Sequence, residues 1–434
     1  MKIAILGSGG REHAIAYTIS KSEKTKKIYC LPGNAGTEDI AENISIDTNN
    51  FKEVYEFLNE EEINLVVVGP EQPLVNGIVD FLEARNVRVF GPNKIASQLE
   101  GSKIFTKNLC KKYNIPTADF GVFENIENAK NFLKNVNYPI VIKADNLAAG
   151  KGVYISKNFD EADFAVNEVF EGKFGVAKNV LIEEFLNGEE MSYFILSDGK
   201  TIKNFGTAQD HKRVGEGDTG KNTGGMGAYS PSRLFSKELE EKILNKIIYP
   251  TFKGLNELGT NYKGFLYAGL MIIDNEPYLI EYNVRMGDPE CQTILPMLNS
   301  DLADIFIACV DEKLDEIKIN WKSKKSLCVV LCSKGYPDDY EKNFKINNLD
   351  KLILNENNYL FHAGTRKREN EILAIGGRVL NFISLSDDLK NSRQNIHENL
   401  KRLDWKKGFY RKDIAFKVIN KWELSQENSK EKRF

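Results

Sequence analysis

The sequence has few of the residues that build metal clusters or covalent cross-links. Its 434 residues include six cysteines and four histidines. No two cysteines form a CxxC motif, and no histidine lies at zinc-finger spacing. The sequence therefore gives no sign of a structural zinc site or a dithiol redox centre. Thiols without a disulfide framework are typical of a reducing compartment, so we expect packed, unpaired cysteines and a cytoplasmic protein.

Long apolar runs and an excess of one charge are also absent. No run approaches the roughly 18–20 residues that a membrane helix needs, and the opening MKIAILG has a strand pattern without the apolar region of a secretory signal. The 59 Lys and Arg residues against 62 Asp and Glu residues give a net charge of −3, which is no footprint for nucleic acid. We therefore expect neither a membrane nor a nucleic-acid partner, and any basic site must be local.

The sequence does have the size and patterning of a multidomain α/β protein. At roughly 100–200 residues per domain, its length predicts two to four domains. Strand and helix patterns alternate through residues 2–6, 11–20, 27–31, 51–59, 64–68, 75–85 and 87–90. This alternation predicts an open parallel sheet. Each strand ends in a turn rich in Gly or Pro, and ligands bind at the carboxyl ends of such strands, so we expect these turns to form one ligand-binding edge.

The rest of the chain mixes further strands and helices. Ser102 is suited to cap a helix over residues 103–113, and another helix is expected near Leu400. The predicted strands lie at residues 140–144, 153–155, 180–185, 191–196, 264–273, 277–282, 327–331 and 374–382.

A glycine-rich segment is the most unusual part of the sequence. Residues 215–227, GEGDTGKNTGGMG, contain six glycines and follow QDHKR. Such a segment cannot bury side chains, so its backbone N–H groups and the nearby cations suit a negatively charged substrate. A flexible surface loop is the alternative. The segment matches GxxxxGK, but Asn222 replaces the Ser or Thr of a P-loop, so a P-loop NTPase is not expected.

The first turn, within GSGGREHA, invites a dinucleotide-binding interpretation. A GxGxxG motif starting at Gly7 would need a glycine where Glu12 stands, so NAD and FAD are not expected. Gly9 and Gly10 nevertheless precede a helix N-terminus, where free N–H groups and the helix dipole attract a phosphate.

Three lysines could form a triphosphate site of another kind. Lys103 stands at a helix start, Lys143 on a strand, and Lys151 in a Gly-flanked loop. Cations and loop N–H groups in this arrangement suit phosphates. The alternative for each of them is a solvated surface lysine.

One strand pattern carries polar side chains on a single face. Alternation over residues 279–285 places Glu281, Asn283 and Arg285 together. Carboxylate and amide oxygens suit Mg²⁺, which keeps water and substrate phosphates in its other positions. Glu281 and Asn283 are therefore candidate metal ligands, with an exposed polar strand face as the alternative.

Several long motifs follow one another in a specific order. They read EGSKIFTK, IVIKADNLAAGKGV, IEEFLNGEE, QDHKRVGEGDTGKNTGGMGAYSP, GFLYAGLM and IEYNVRMGDPE, preceded by GSGGREHA and PGNAGT and followed by FHAGT, GGRVL and YRKDI. Over nearly the whole chain they closely resemble the phosphoribosylamine-glycine ligase family, also called glycinamide ribonucleotide synthetases, which has the ATP-grasp fold.

The resemblance implies an enzyme of purine biosynthesis. ATP would phosphorylate the glycine carboxylate, and the amine of 5-phosphoribosylamine would attack the acyl phosphate to give glycinamide ribonucleotide, ADP and phosphate. The implied cofactors are ATP and Mg²⁺ or Mn²⁺. The partners would be these small molecules alone, and the protein would be a monomer or a weak oligomer.

The resemblance also implies a domain organisation of mixed α/β and α+β class. We predict an N-terminal open parallel α/β domain over residues 1–100 and a small C-terminal α+β domain over residues 326–424. Between them would lie the ATP-grasp domain, residues 101–325, with a small lid at about residues 120–190. Residues 425–434 would form a polar tail.

Roles are carried over residue by residue where the motifs match. The nucleotide would be held by Lys103, Lys143 and Lys151 at its phosphates, by a hinge of Glu183, Glu184, Phe185 and Leu186 at adenine, and by Glu189 or Glu190 at the ribose. The metal would be held by Glu281 and Asn283. The substrate-binding residues would be Gly9, Gly10, Arg11, Asp210, Gly224, Gly225, Arg285 and Asp288. The catalytic residues would be Asp210, Lys212, Arg213 and Arg285, three of them on a loop that closes over the substrates.

A few positions depart from the family pattern, and two rival functions remain. Tyr282 and Met286 stand where Phe is usual, and residues 268–271 offer no carboxylate for a second magnesium ion. Another ATP-grasp ligase or carboxylase would fit the lysines and Glu281 but not the segment from QDHKR to AYSP. A non-catalytic nucleotide-binding protein is expected to lose Lys143 or Glu281, and both are present.

Overall fold

A computed structural model describes residues 1–145, 152–173, 175 and 179–419. Lys151 and the predicted polar tail lie outside the described residues.

The N-terminal part is a parallel five-stranded sheet with helices packed on it. Its elements are β1 (Lys2–Gly7), α1 (Gly10–Ile19), β2 (Lys27–Pro32), β3 (Glu42–Asn43), α2 (Phe51–Glu60), β4 (Leu65–Val68), α3 (Glu71–Asn76), α4 (Ile78–Glu83) and β5 (Val89–Phe90). The strand order is β3-β2-β1-β4-β5, which confirms the predicted open parallel sheet. The helix predicted over residues 75–85 is wrong in extent, because Gly77 adopts φ +96° and separates α3 from α4.

A small antiparallel sheet follows two helices. The elements are α5 (Gln98–Gly101), α6 (Lys103–Tyr113), β6 (Phe120–Phe123), α7 (Ile126–Leu133), β7 (Ile140–Ala144), β8 (Val153–Ser156), α8 (Phe159–Phe170) and β9 (Val180–Glu184). Ser102 caps α6 as predicted, since its Oγ accepts from the Phe105 N–H at 3.1 Å. The strand order is β6-β9-β7-β8. Ile140 and Ile142 enter a core of their own beneath α7 and α8, so Lys143 faces the opposite side.

The remaining strands form one long antiparallel sheet. The elements that follow are β10 (Glu189–Asp198), β11 (Ile202–Asp210), β12 (Arg213–Gly215), β13 (Thr219–Asn222), β14 (Gly227–Ser230), α9 (Lys237–Ile243), α10 (Tyr249–Glu257), β15 (Lys263–Ile273), β16 (Glu276–Asn283), α11 (Glu290–Ile294), α12 (Leu302–Val310), β17 (Lys325–Ser333), β18 (Phe344–Lys345), β19 (Asn358–His362), β20 (Thr365–Arg368), β21 (Glu371–Ala374), β22 (Arg378–Ser386), α13 (Leu389–Leu400) and β23 (Gly408–Phe409). The order β16-β15-β10-β11-β14-β17-β22-β19, with β23 beside β17, joins central and C-terminal strands in one nine-stranded sheet.

Two features of this region were not predicted from the sequence. The strand predicted over residues 374–382 is two strands, β21 and β22, because the chain turns at Gly376, where its backbone packs against Gly364 too closely for a side chain. The glycine-rich segment is not an open loop, because β12 and β13 pair as a hairpin, with Arg213 opposite Asn222 and Gly215 opposite Thr219.

The structure also bears on the expectations for the cysteines and for membrane-spanning helices. All six cysteines are buried and unpaired, as expected. Within the part of the chain that the structure describes, no helix combines the length and the apolar character needed to cross a bilayer.

Candidate functional site

A cavity of about 660 Å³ lies between the small sheet and the long sheet. Side chains from the N-terminal sheet, the small sheet, the long sheet and the C-terminal strands all contribute to its walls. The predicted site residues that line it are Arg11, Lys103, Lys143, Glu183, Glu184, Phe185, Leu186, Glu189, Glu190, Asp210, Lys212, Arg213, Gly224, Glu281, Asn283, Arg285 and Asp288. The structure therefore brings together most residues that the motifs singled out. Gly9, Gly10 and Gly225 do not line it.

Two buried lysines share one buried carboxylate on the wall formed by the small sheet. The Lys143 Nζ lies 2.6 Å from Glu183 Oε2, and the Lys107 Nζ lies 3.1 Å from Glu183 Oε1. Their side chains are 4–6% exposed. Burial lowers the pKa of Lys107, and the Glu183 carboxylate opposes that shift. The Glu183 side chain therefore holds lysines, and any contact with adenine would have to come from its backbone.

Lys107 is a site residue that the sequence interpretation missed. It stands four positions after Lys103 on α6, so both side chains lie on one face of the helix. The Lys103 Nζ donates to the Ala144 carbonyl at 2.9 Å, and burial lowers its pKa. The i, i+4 spacing within EGSKIFTK was the signal that could have identified Lys107.

The segment between β9 and β10 passes from the small sheet to the long sheet along the cavity. It includes Phe185 and Leu186, which the motifs assigned to the adenine hinge. Both candidate ribose carboxylates follow at the start of β10 and are paired with cations. Glu189 forms an ion pair with Arg233, and Glu190 Oε2 lies 3.0 Å from the Lys212 Nζ.

Glu281 and Asn283 lie at the end of β16 on the opposite wall. Glu281 is paired in register with Gly269 on β15, where a Cβ would stand 3.2 Å from Glu281 Cγ, so the glycine leaves room for the carboxylate. Burial alone would raise the pKa of Glu281, but Lys212, Lys143 and Lys103 lower it. Glu281 is thus held as a carboxylate that faces three ammonium groups.

Arg285 lies beyond the strand end rather than on it, because β16 ends at Asn283. Its Nη2 lies 2.6 Å from Glu100 Oε1, and its Nε lies 3.3 Å from Glu71 Oε2. Burial raises the pKa of Glu100 to about 7, whereas Arg285 lowers the pKa of Glu71 to about 2. Arg285 therefore reaches the cavity with much of its charge already balanced.

The QDHKR segment places a carboxyl group and two cationic side chains at the cavity. Burial, then the neighbouring Glu290, raise the pKa of Asp210 well above its ordinary value. The Glu190 carboxylate raises the pKa of Lys212. Arg213 is fixed at the start of β12, since its Nη1 donates to the Gly220 carbonyl at 2.8 Å. Glycine N–H groups of this region bind protein atoms: the Gly224 N–H donates to the Tyr336 hydroxyl at 3.0 Å.

At the N-terminal edge the predicted phosphate site is occupied by the protein itself. The Gly9 N–H donates to Glu12 Oε2 at 2.6 Å, because Glu12 folds back over the N-terminus of α1. Gly10 packs against Asn381 and Gln292 so closely that a Cβ would clash. Arg11 does line the cavity, with its Nε 2.6 Å from Glu12 Oε1.

Among the four N-terminal turns expected to form one ligand edge, the first and third bring Arg11 and Glu71 to the cavity. The second turn is covered by the C-terminal strands, since the Asn34 Nδ2 donates to the His362 carbonyl at 2.9 Å.

The C-terminal strands supply a cavity residue that the sequence interpretation did not name. Arg378 at the start of β22 donates through Nη1 to the carbonyls of Gly224 at 2.5 Å and Asp288 at 2.6 Å. The same Nη1 lies 3.3 Å from Asp288 Oδ1, and Arg378 opposes the effect of burial and lowers the pKa of Asp288. The GGRVL motif contains this arginine, and its position directly after two glycines was the signal that could have identified it.

The histidines within matched motifs are structural. The His13 Nδ1 accepts from the His362 N–H at 2.9 Å, and the His211 Nε2 accepts from the Ala415 N–H at 3.1 Å. Burial lowers the pKa of His13 to about 3 and that of His211 to about 4. Among the described residues, no three or more His, Cys, Asp or Glu side chains are grouped to hold a metal ion.

A cavity between a small and a large antiparallel sheet, with buried lysines on one wall and Glu281 on the other, is an ATP-grasp site. The comparisons agree on this class. The chain matches the phosphoribosylglycinamide synthetase N domain over residues 1–100, the ATP-grasp (A) domain over residues 101–291 and the C domain over residues 326–417. The chain therefore belongs to the phosphoribosylglycinamide synthetase family.

Individual relatives agree over the full length. The phosphoribosylamine–glycine ligase of Brucella melitensis biotype 1 is 47% identical, with 97% of this chain and 99% of that protein covered. The crystal structure of the phosphoribosylamine–glycine ligase of Thermotoga maritima superposes with a TM-score of 0.83 at 33% identity, covering 95% of this chain and 100% of that one. The biotin carboxylase domain of Hydrogenobacter thermophilus 2-oxoglutarate carboxylase, at 16% identity and a TM-score of 0.71 over 94% of this chain and 91% of that one, shares the fold.

Proposed function

We propose that the protein joins glycine to 5-phosphoribosylamine at the expense of ATP, as a step of purine biosynthesis. The main support is the cavity, which holds cations on one wall and a carboxylate with a neighbouring amide on the other. The chain around it matches the family's three domains over residues 1–291 and 326–417. The γ-phosphoryl group passes to the glycine carboxylate and gives glycyl phosphate and ADP. The amine then attacks the acyl carbon, the C–O bond to phosphate breaks, and the amine loses a proton.

The residues of the protein contribute charge neutralisation and positioning to this reaction. Lys103, Lys107 and Lys143 meet the phosphates of ATP, because their buried ammonium groups stabilise charge on the transferring phosphoryl more than solvated ones would. The segment from Glu183 to Leu186 contacts adenine, and Glu189 or Glu190 contacts the ribose. Holding the reacting groups in register supplies much of the rate.

Glu281 and Asn283 fit a divalent cation. They offer one ionised carboxylate and one amide side chain on the wall opposite the buried lysines, and Mg²⁺ takes its other ligands from water and substrate phosphates. A bound Mg²⁺ or Mn²⁺ would neutralise negative charge on the phosphates of ATP. Residues 268–271 of β15 offer no carboxylate that could bind a second metal ion.

The other two substrates, phosphoribosylamine and glycine, would bind on the side of the cavity opposite the ATP site. Arg11, Arg285 and Asp288 would hold phosphoribosylamine, while Asp210, Lys212 and Arg213 would hold the acid and its activated form. Gly224 also lines the cavity and is assigned to substrate binding. Gly9, Gly10 and Gly225 do not line it, and they act by allowing neighbouring residues to pack closely against the backbone.

The experiment is ADP release with Mg·ATP and freshly prepared phosphoribosylamine, in which glycine is compared with alanine, bicarbonate and no acid. We expect release that needs both glycine and the amine, with glycinamide ribonucleotide seen by mass spectrometry. Release driven by another acid would favour a different ATP-grasp ligase or carboxylase. Tight ATP binding without release would leave a non-catalytic nucleotide-binding protein.

We also propose that the partners are these small molecules alone and that the protein acts in the cytoplasm as a monomer or a weak oligomer. Sedimentation at two protein concentrations tests the last point, and a concentration-independent dimer would contradict it.

A further inference from the structure

A short C-terminal segment binds the β12–β13 hairpin through hydrogen bonds and ion pairs. We call residues 213–222 the hairpin and residues 411–417 the clasp. The clasp follows β23, contains most of the YRKDI motif and has no role in the proposed chemistry. Its contacts with the hairpin are made mainly by charged groups, among which Arg411 is buried.

Arg411 is the centre of these contacts. Its side chain is 1% exposed although it carries a full charge. Its Nε and Nη2 donate to the two carboxylate oxygens of Asp413 at 2.8 and 2.7 Å. Its Nη1 donates to Asp218 Oδ1 at 2.9 Å and to the Arg213 carbonyl at 3.0 Å. One guanidinium therefore ties the first residue of the hairpin to its turn.

Further atoms of the clasp hold the same turn. Asp413 Oδ2 accepts from the Gly217 N–H at 2.7 Å, so Asp413 joins Arg411 and the hairpin backbone. The Lys412 N–H donates to Glu216 Oε1 at 3.2 Å, and the Lys417 Nζ lies 2.6 Å from Asp218 Oδ2. A carboxylate that is bound by a planar guanidinium through both oxygens is fixed in orientation. The turn is thus held at several points rather than swinging as an open loop.

The base of the hairpin carries cavity residues. The Thr223 N–H and Oγ both donate to the Lys212 carbonyl, at 2.8 and 2.9 Å. Lys212, Arg213 and Asp218 line the cavity. A displacement of the hairpin would therefore move Lys212 and open this side of the cavity to water.

We propose that Arg411 is a positioning residue that holds the hairpin over the cavity and so keeps water away from the acyl phosphate. The inference rests on the proposed function. If the hairpin loosens, a water oxygen attacks the acyl carbon of glycyl phosphate, the C–O bond to phosphate breaks, and glycine and phosphate return with a proton released to solvent. The net result is ATP hydrolysis without ligation, because exclusion of water is what protects such an intermediate.

The test compares coupling in Arg411→Lys and Lys221→Ala. Lysine keeps the charge but loses the fork that spans Asp413 and Asp218. Lys221 is the matched control, since it is also on the hairpin but pairs with Asp338 at the surface and does not line the cavity. In Arg411→Lys we expect the ratio of amide product to ADP to fall by about tenfold, because a small misplacement near the reacting groups has a cost of that order. The KM for ATP should stay within about twofold of that of the unmodified chain. Lys221→Ala should keep the ratio of the unmodified chain.

Hydrogen exchange provides the readout that does not need turnover. In Arg411→Lys, amides of residues 214–222 should exchange faster, while those of β1 should be unchanged. If Arg411→Lys does not fold, Asp413→Asn carries the same prediction, because it removes the charge shared by Arg411 and the Gly217 N–H. An unchanged product-to-ADP ratio in a folded variant overturns the proposal, whether or not the hairpin amides exchange faster. Failure of the unmodified chain to form the amide would instead reject the proposed function.

Discussion

At the scale of single residues, Glu183 explains why two lysines can be buried beside each other. A buried ammonium group without a counterion tends to lose its proton. Glu183 supplies one negative charge to both Lys107 and Lys143. Two cations and one anion leave a net positive charge on the wall, and the three side chains are only 4–6% exposed, so solvent screens that charge weakly. That residual charge is what a polyphosphate would neutralise.

Lys143 should therefore matter for ATP more than for glycine. In Lys143→Met we expect the KM for ATP to rise by about tenfold or more, the usual consequence of losing one charge-assisted contact, with the KM for glycine little changed. Steady-state kinetics in each substrate measures this. Lys130→Met is the matched control, because Lys130 pairs with Asp163 at 2.8 Å on the outer surface of the same small sheet region. Equal effects of the two variants on ATP would contradict the assignment.

Glu281 should be needed for metal-dependent turnover and not for folding. Glu281→Gln removes the charge that Lys103, Lys143 and Lys212 surround, so we expect turnover to fall by about 100-fold or more, with a larger Mg²⁺ requirement. The variant should melt within a few degrees of the unmodified chain. Glu276→Gln, at the half-exposed start of the same strand, should change neither the turnover nor the Mg²⁺ requirement. Normal activity of Glu281→Gln at limiting Mg²⁺ would rule out the ligand role.

At the scale of elements, the glycine-rich segment shows how backbone conformation and side-chain packing act together. Gly225 adopts φ +115°, and a Cβ there would stand 2.6 Å from Pro289 Cδ and 2.8 Å from Asp210 Oδ1. Only glycine combines that φ with so close an approach. Gly225 therefore belongs to the site through the residues it allows to approach one another.

Gly225→Val should accordingly damage activity through Asp210. We expect turnover to fall by about tenfold or more, because the new side chain displaces a group near the reacting atoms. Gly259→Val is the control: Gly259 has φ +77°, but a Cβ there would meet nothing within 4 Å, so it shares the backbone strain without the crowding. Turnover per folded molecule, with the folded fraction of each variant taken from its thermal melt, separates the effect of crowding from that of backbone strain. Equal turnover would remove the crowding argument.

Local pattern predicted the elements well where it depended on burial alone. The strands of the N-terminal sheet were predicted from continuous apolar runs, since parallel strands are buried on both faces. Strand β7 was predicted from its alternation, since it presents one apolar face to a core. The break at Gly77 and the hairpin at residues 213–222 were missed, since both depend on where glycine takes a positive φ and on contacts with distant residues. Lys107 was missed although its spacing from Lys103 is visible in the sequence. Arg378 was missed because its contacts are with the distant residues Gly224 and Asp288. The domain boundaries and the individual residue roles stay predictions.

At the scale of the whole molecule, buried neutral histidines connect pH to stability. Burial lowers the pKa of His362 to about 4 from an ordinary 6.5. The folded protein keeps this imidazole neutral, while the unfolded chain binds a proton below about pH 6.5. Its contribution is complete above that pH and is lost as the pH falls towards 4. His13 and His211 shift in the same direction.

The pH dependence of unfolding should reflect these groups. Between pH 7 and pH 5, His362 alone should reduce the free energy of unfolding by about 2 kcal/mol. In His362→Gln, whose amide can still contact Thr365, that part of the loss should disappear even if the variant is less stable at pH 7. Denaturant unfolding at the two pH values measures it. The same loss in both proteins would show that His362 is not buried neutral.

The long sheet has a consequence for any attempt to shorten the chain. Strand β14 pairs with β11 on one side and with β17 on the other, from Gly227 opposite Val329 to Ser230 opposite Ser326. A fragment that stops at residue 325 would keep β14 without its second neighbour, and its free N–H and C=O groups would form an open edge. Such an edge is a template for pairing with other chains, so a fragment truncated at the predicted boundary should aggregate rather than behave as an independent catalytic module.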